Sequence, residues 1–201
     1  MLYTAEPGLV IGFHGCDQRV SDAIISGITS LRPSTNDWDW LGHGIYFWQN
    51  SYDRAMNYAM HPPPNVQIHQ PAVIGAVISL GRCLDLTDKR WIDLTRSSFE
   101  ILKRTREPRG FSLPANADPG GGRRWGDKVL RRLDCAVIEN VHKLLRDAGS
   151  QPFDSVRCVF YEGKRLYRGA GFYEKTHVQI CIRNPNCIKG YFRPREEVDW
   201  K

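Results

Sequence analysis

The sequence predicts an α+β domain. Strand-like apolar runs and helix-like amphipathic stretches are mixed without a regular strand–helix–strand alternation, which disfavours a doubly wound sheet. The chain has 201 residues, 41% of them hydrophobic and 25% charged, the balance of one globular core, so a single domain over residues 1–201 is expected. No internal repeat is visible. The same figures exclude a disordered, collagen-like or coiled-coil chain. The longest apolar run, AVIGAVISL at 72–80, falls far short of the roughly 20 residues of a membrane span. The opening MLYTAEPGLVIGFHG has no basic segment and no small-residue cleavage site, so no secretory signal and a cytoplasmic location are expected.

The elements follow in order. Residues 10–14, a short apolar run after Pro7-Gly8, read as a strand. Residues 21–26 carry Ile24 and Ile25 and stop at Gly27, a short helix with a glycine end. Residues 32–44 are loop-like, interrupted by Trp38 and Trp40, and 45–48 is apolar and aromatic. Asn50 or Ser51 is placed to cap a helix through Met60 that Pro62-Pro63-Pro64 breaks. Residues 72–80 read as a central strand, and 84–87 as the end of its hairpin partner. A helix over 91–103 precedes a Gly-, Pro- and Asn-rich loop at 107–126. Residues 128–148 carry Val129, Leu130, Leu133, Val137, Val141 and Leu144 on one side, with Gly149 just beyond, as a helix would. Strands are expected at 156–161, 177–183 and 188–192.

The six cysteines, at 16, 83, 135, 158, 181 and 187, form no CxxC pair and have no histidine at zinc-finger spacing. They read as reduced, mostly buried thiols; a metal site or disulfide framework is disfavoured. The formal charge is +6. Residues 103–132 hold nine Lys/Arg (Lys103, Arg104, Arg106, Arg109, Arg123, Arg124, Lys128, Arg131, Arg132) against Glu107, Asp118 and Asp127, and so carry the whole surplus. Such a stretch is either a patch for a polyanion or a solvated loop and helix face.

Four segments stand in a definite order: Gly12-Phe13-His14-Gly15-Cys16, Ile25-Ser26-Gly27-Ile28, Gly42-His43-Gly44-Ile45-Tyr46-Phe47 and Ala55-Met56-Asn57-Tyr58. Taken singly, each is an ordinary core histidine or core aromatic. Together their order resembles the NAD-binding core of ADP-ribosyltransferases of the diphtheria-toxin and poly(ADP-ribose) polymerase type. The resemblance covers the first 60 residues; the middle third of the chain matches nothing in that family. It implies two packed, mostly antiparallel sheets around an NAD cleft, with peripheral helices. It also implies that His14 holds the adenosine ribose, that Gly15 pairs with the nicotinamide amide, and that Tyr46 and Tyr58 stack on the ring, with Tyr46 and His14 in the catalytic set. The residue types suit the task. Imidazole both donates and accepts toward a hydroxyl, glycine lets the main chain come close to a carboxamide, and tyrosines stack on a flat cation.

Two positions depart from the family. Its third catalytic residue is a glutamate near the start of a late strand; here Gln179 stands in that strand, with His177 two residues earlier on the same face and Glu174 in the preceding turn. A glutamine hydrogen-bonds without charge, which weakens stabilisation of an oxocarbenium-like state. Within the family a missing glutamate goes with mono-ADP-ribosylation or with loss of activity. The serine one turn before the second tyrosine is replaced by Ala55, and Ser51 is a further turn away. The resemblance implies NAD as co-substrate and an NAD-dependent mono-ADP-ribosyltransferase acting on a nucleic acid or a protein. The small stand-alone size looks like a microbial toxin of a toxin–antitoxin pair or a defence effector, with an inhibitor protein as partner and no membrane. Two other readings stay open: a catalytically weak or inactive NAD- or RNA-binding module of the same fold, and an RNA 2′-phosphotransferase, whose paired Arg and His motif is not evident. Exposed tryptophans at 38, 40 and 125 would offer stacking surfaces for bases.

Overall fold

The computed structural model describes residues 8–64, 66–118 and 128–196. In chain order the elements are β1 (Val10–Asp17), α1 (Gln18–Ile25), β2 (Ile45–Gln49), α2 (Tyr52–Met60), β3 (Pro71–Ile78), β4 (Cys83–Asp85), α3 (Lys89–Arg106), β5 (Asn116–Ala117), β6 (Leu130–Arg131), α4 (Arg132–Asp147), β7 (Ser155–Phe160), β8 (His177–Ile182) and β9 (Ile188–Phe192). This is the expected α+β class. Seven strands form one mixed sheet in the order β4-β7-β8-β2-β1-β3-β9, and β5 and β6 form a small ribbon. One sheet thus stands where two packed sheets were expected. The expected hairpin partner of β3 is also reassigned: β4 pairs in parallel with β7, Cys83 opposite Ser155.

Caps set the helix starts. Asp17 accepts from the Arg19 amide and begins α1 three residues earlier than periodicity indicated. Asp88 does the same for α3 through Arg90. The helix expected from 128 begins only at Arg132, because Leu130 and Arg131 pair with Ala117 and Asn116. The Asn116 side-chain oxygen then accepts from the Leu133 and Asp134 amides at 2.8 and 3.2 Å, serving α4 as a cap from a distant segment.

Alternation along the strands divides the core between the two faces of the sheet. Ile45, Phe47, Ile74, Ile78, Ile180 and Ile182 pack on one face with Ile24 of α1 and with Leu31. Cys181 and Val156 pack on the other face under Ile138 and Val141 of α4, with Leu41 and Phe153. On that second face, Trp48 and Val73 meet Ala55 of α2. Between α2 and α4 the second face carries Tyr46, Trp48 and Gln179. No disulfide forms among the described residues, and five of the six cysteines are buried.

Candidate functional site

The site begins where the sheet splits. β1 pairs with β3 along its whole length, from Val10 to Asp17. With β2 it pairs at Gly12↔Gln49 and Phe13↔Trp48, and there the register ends. The Asn50 amide donates to the Ile11 carbonyl at 2.9 Å, so the odd residues of β1 turn their main-chain groups toward β2. Gly15 would be the next bonding residue, opposite Tyr46. Instead the His14 ring takes the Tyr46 carbonyl, its Nδ1 at 2.8 Å. The Gly15 N–H and C=O therefore point into the gap between the parting strands.

That hydrogen bond defines His14. A carbonyl only accepts, so Nδ1 carries the proton and Nε2 keeps a lone pair. Burial holds the imidazole pKa below its ordinary value, partly offset by the Tyr46 hydrogen bond, so the ring is neutral near pH 7. Its edge contact with Phe47, centroids 5.9 Å apart, puts the ring toward the face opposite Tyr46.

Gly15 is required for a second reason. A Cβ there would lie 2.1 Å from the Ala55 carbonyl oxygen and 3.3 Å from the Ala59 Cβ. α2 therefore rests directly on β1. Ala55, at the position where the family resemblance implies a serine, is fully buried against that strand and is a packing residue.

Tyr46 fixes the loop that precedes it. Its hydroxyl donates to the Gly42 carbonyl at 2.6 Å and accepts from the Leu41 amide at 2.9 Å. Gly42 has φ +75, and a Cβ would meet the Glu139 carboxylate at 2.6 Å. Glu139 in turn accepts from the His43 amide and from both terminal nitrogens of Arg183, while Arg183 also donates to the His43 carbonyl. α4 and the end of β8 thus clamp Gly42-His43-Gly44. The bound Arg183 and the His43 amide draw the Glu139 carboxyl below its usual range despite the opposing effect of burial.

Tyr58 on α2 packs on Trp48, centroids 5.2 Å apart, on the face that Tyr46 shares. Burial raises both phenol pKa values, and the carboxylate of Asp39 raises both further. Asp39 is itself buried and accepts from the Asn36 amide at 3.1 Å. Tyr46 packs with Leu41, Ile138 and Cys181, and Tyr58 with Trp48, Ala55 and Val73, both on the second face of the sheet.

Gln179 lies opposite Trp48 across β2 and β8. It is 9% exposed, and its Oε1 has no hydrogen-bond partner; the indole Nε1 of Trp48 and the Nε of Arg54 are likewise buried without partners. A buried unpartnered polar atom costs on the order of 1–3 kcal/mol, and these three lie in neighbouring side chains. His177 is packed under Phe160 and Trp48, with Nδ1 2.8 Å from the Lys175 carbonyl. Glu174 is exposed and accepts from the Lys164 amide at 3.0 Å, closing its own loop. The acid nearest this cluster is one that sequence reading missed. Glu162 binds the Arg54 guanidinium and lies 3.6 Å from His177 Nδ1. Arg54 in turn lies 5.8 Å over the Trp48 ring. The signal was alternation: Cys158, Phe160 and Glu162 follow one face, but Tyr161-Glu162-Gly163-Lys164 reads as an ordinary polar turn.

Trp38 and Trp40 are both half-buried. Trp40 donates to the Val129 carbonyl at 2.8 Å and meets Phe160 edge to face, centroids 4.8 Å apart. Arg131 covers it at 4.4 Å, and Arg132, paired with Asp37, lies 5.7 Å over Trp38. Two cations of the basic stretch are thus engaged with the chain's own rings. Lys103, Arg104 and Arg106 form the exposed last turn of α3, where they complement the helix dipole. Arg123, Arg124, Trp125 and Asp127, with Gly120-Gly121-Gly122, lie outside the described residues. Among the described residues no helix is long and apolar enough to cross a membrane.

Comparison with known proteins adds one relative to this geometry. An uncharacterized protein of the archaeon Methanocaldococcus jannaschii is 23% identical over 193 residues, covering 88% of this chain and 83% of that protein. No family model matches the chain. No solved structure matches it.

Proposed function

We propose that the split between β1 and β2 binds NAD and that the protein transfers a single ADP-ribose from it to an acceptor. The observation that carries this reading is the end of the β1–β2 register at Phe13↔Trp48, with His14 on the Tyr46 carbonyl and the Gly15 main chain facing the gap. A carboxamide needs one donor and one acceptor side by side, and the Gly15 N–H and C=O supply that pair without a side chain between them. His14 Nε2 accepts from a ribose hydroxyl. Tyr46 and Tyr58 flank the pyridinium ring.

In the reaction the bond from ribose C1′ to the nicotinamide nitrogen breaks, and its electron pair stays with the leaving nicotinamide. The acceptor nucleophile then bonds C1′ and gives up its proton. Gln179 Oε1 accepts from a hydroxyl of the nicotinamide ribose and orients that sugar. The nearby carboxylate of Glu162 is shared with Arg54, so its field at C1′ is reduced. Slow transfer of one unit, not polymer synthesis, is the outcome this favours. The missing acid equally favours a second reading, an NAD-binding module without turnover, which differs in releasing no nicotinamide.

His14→Ala is expected to weaken NAD binding about tenfold, the worth of one net hydrogen bond of about 1.4 kcal/mol. Calorimetric titration of folded wild type and variant checks it. Equal affinities remove His14 from the site.

A further inference from the structure

The proposed transfer leaves one proton without a destination, the one the acceptor nucleophile loses as it bonds C1′. A side chain that takes it must be a base with an atom to spare, held near the reacting groups. Three carboxylates on the second face have no atom to spare. Asp39 accepts from the Asn36 amide and side chain, and Asp134 from Asn116 and Arg131. Both oxygens of Glu139 are taken by Arg183, one of them also by the His43 amide. The His43 ring, 3.8 Å from Glu139, belongs to the same clamp, at the other end of β2 from Trp48 and Gln179.

Glu162 differs from these. The Lys175 amide donates to its carbonyl at 3.0 Å, which carries the β7–β8 register one step past Phe160↔His177. Its side chain therefore follows Cys158 and Phe160 onto the second face. Both polar contacts of that side chain fall on one oxygen: Oε2 accepts from Arg54 and lies 3.6 Å from His177 Nδ1. Arg54 is itself held by the Asn57 side chain at 2.9 Å and lies over Trp48. A charge-assisted bond from a fixed guanidinium orients the carboxylate. Oε1 takes no part in these contacts, and the side chain is 26% exposed, so an entering group can reach it. Along β8, His177 is about 6.7 Å from Gln179. A reacting distance and a hydrogen bond, about 3 Å each, cover much the same span.

We infer that Glu162 is the general base of the transfer, its Oε1 taking the acceptor's proton while Arg54 holds Oε2. This rests on the reading of the split as an NAD site. The lone pair of the nucleophile forms the bond to C1′, its own X–H bond breaks with the electrons left on X, and the proton passes to Oε1 and on to solvent. A base in this place serves an acceptor that has a proton to lose, a hydroxyl or N–H group. A carboxylate acceptor has none.

The test follows transfer of label from NAD to a total cell extract as the source of acceptor, with NAD affinity measured by calorimetry on the same proteins. Glu162→Gln, nearly the same size and still able to accept from Arg54, is expected to bind NAD as the wild type does and to transfer about a hundredfold more slowly. In Glu162→Ala, added formate is expected to restore transfer and nitrate is not. Both planar anions pair with a guanidinium, but only formate takes up a proton near neutral pH. Wild-type transfer rates in Glu162→Gln overturn the inference. Equal rescue by nitrate and formate overturns it in favour of a positioning role for the Arg54 pair. Loss of NAD affinity in Glu162→Gln overturns it in favour of a binding role. Release of the label by neutral hydroxylamine marks an ester to a carboxylate and overturns the acceptor class with the need for a base. No transfer by the wild type overturns the underlying reading and this inference with it; each of the other results, with wild-type transfer intact, overturns this inference alone.

Discussion

Gly15→Ala is expected to lower stability by about 3 kcal/mol and to abolish NAD binding. The new Cβ would stand 2.1 Å from the Ala55 carbonyl oxygen, a main-chain atom that no rotamer change can move. α2 must shift away from β1, which opens the Trp48–Ala55–Val73 packing and carries Tyr58 off the site. For a domain of this size the loss corresponds to a fall of about 10 °C in the melting temperature. Gly190→Ala is the matched control, because a Cβ there meets nothing within 4 Å. Thermal melts followed by circular dichroism compare the two. If Gly15→Ala melts with Gly190→Ala, the direct contact of α2 with β1 is not what the site rests on.

The second large effect is acid destabilisation through His142. This side chain is fully buried in α4, with Nδ1 2.8 Å from the Ile138 carbonyl and Nε2 without a partner. Burial first, and then the nearby Arg183 charge, push its pKa from 6.5 to about 4. Between those values the unfolded chain holds the extra proton and the native chain does not. Stability therefore falls as pH drops through this window, and the loss is complete below pH 4. A shift of that size is worth about 3 kcal/mol. Urea unfolding measured from neutral pH downward checks it. His142→Leu is expected to lose most of the slope in the window. The remainder comes from His14, whose pKa burial also lowers, and from the Glu139 carboxyl at lower pH. An unchanged slope in His142→Leu removes this histidine as the acid-sensitive group.

The strands were the most legible part of the chain. Residues 71–78, 155–160, 177–182 and 188–192 are apolar runs between turn signals, and their periodicity is local. Helix starts were less legible, because the caps at Asp17 and Asp88 precede the apolar pattern. The start of α4 depends on Asn116, sixteen positions earlier and on another element. The parallel pairing of Cys83–Asp85 with β7 joins segments some seventy residues apart, which no local pattern records. Within the candidate site, His14 and Tyr46 stood in an ordered motif, and Gln179 was picked separately from the apolar pattern of a late strand. What the motif did not disclose is the parting of β1 from β2, a property of register. Nor did it reveal Glu162, which reaches the cluster because β7 keeps its alternation beyond its last paired residue. The basic stretch reads differently in three dimensions: Arg131 and Arg132 cover tryptophans, and only part of the charge faces solvent.

Release of nicotinamide from NAD by the purified protein, followed chromatographically over time, tests the central claim most directly. The wild type is expected to release nicotinamide in molar excess over protein, through transfer to an acceptor or to water, and Gln179→Ala to release it more slowly while still binding NAD. NAD recovered intact after prolonged incubation with the wild type and a total cell extract as the source of acceptor would contradict the proposed transfer.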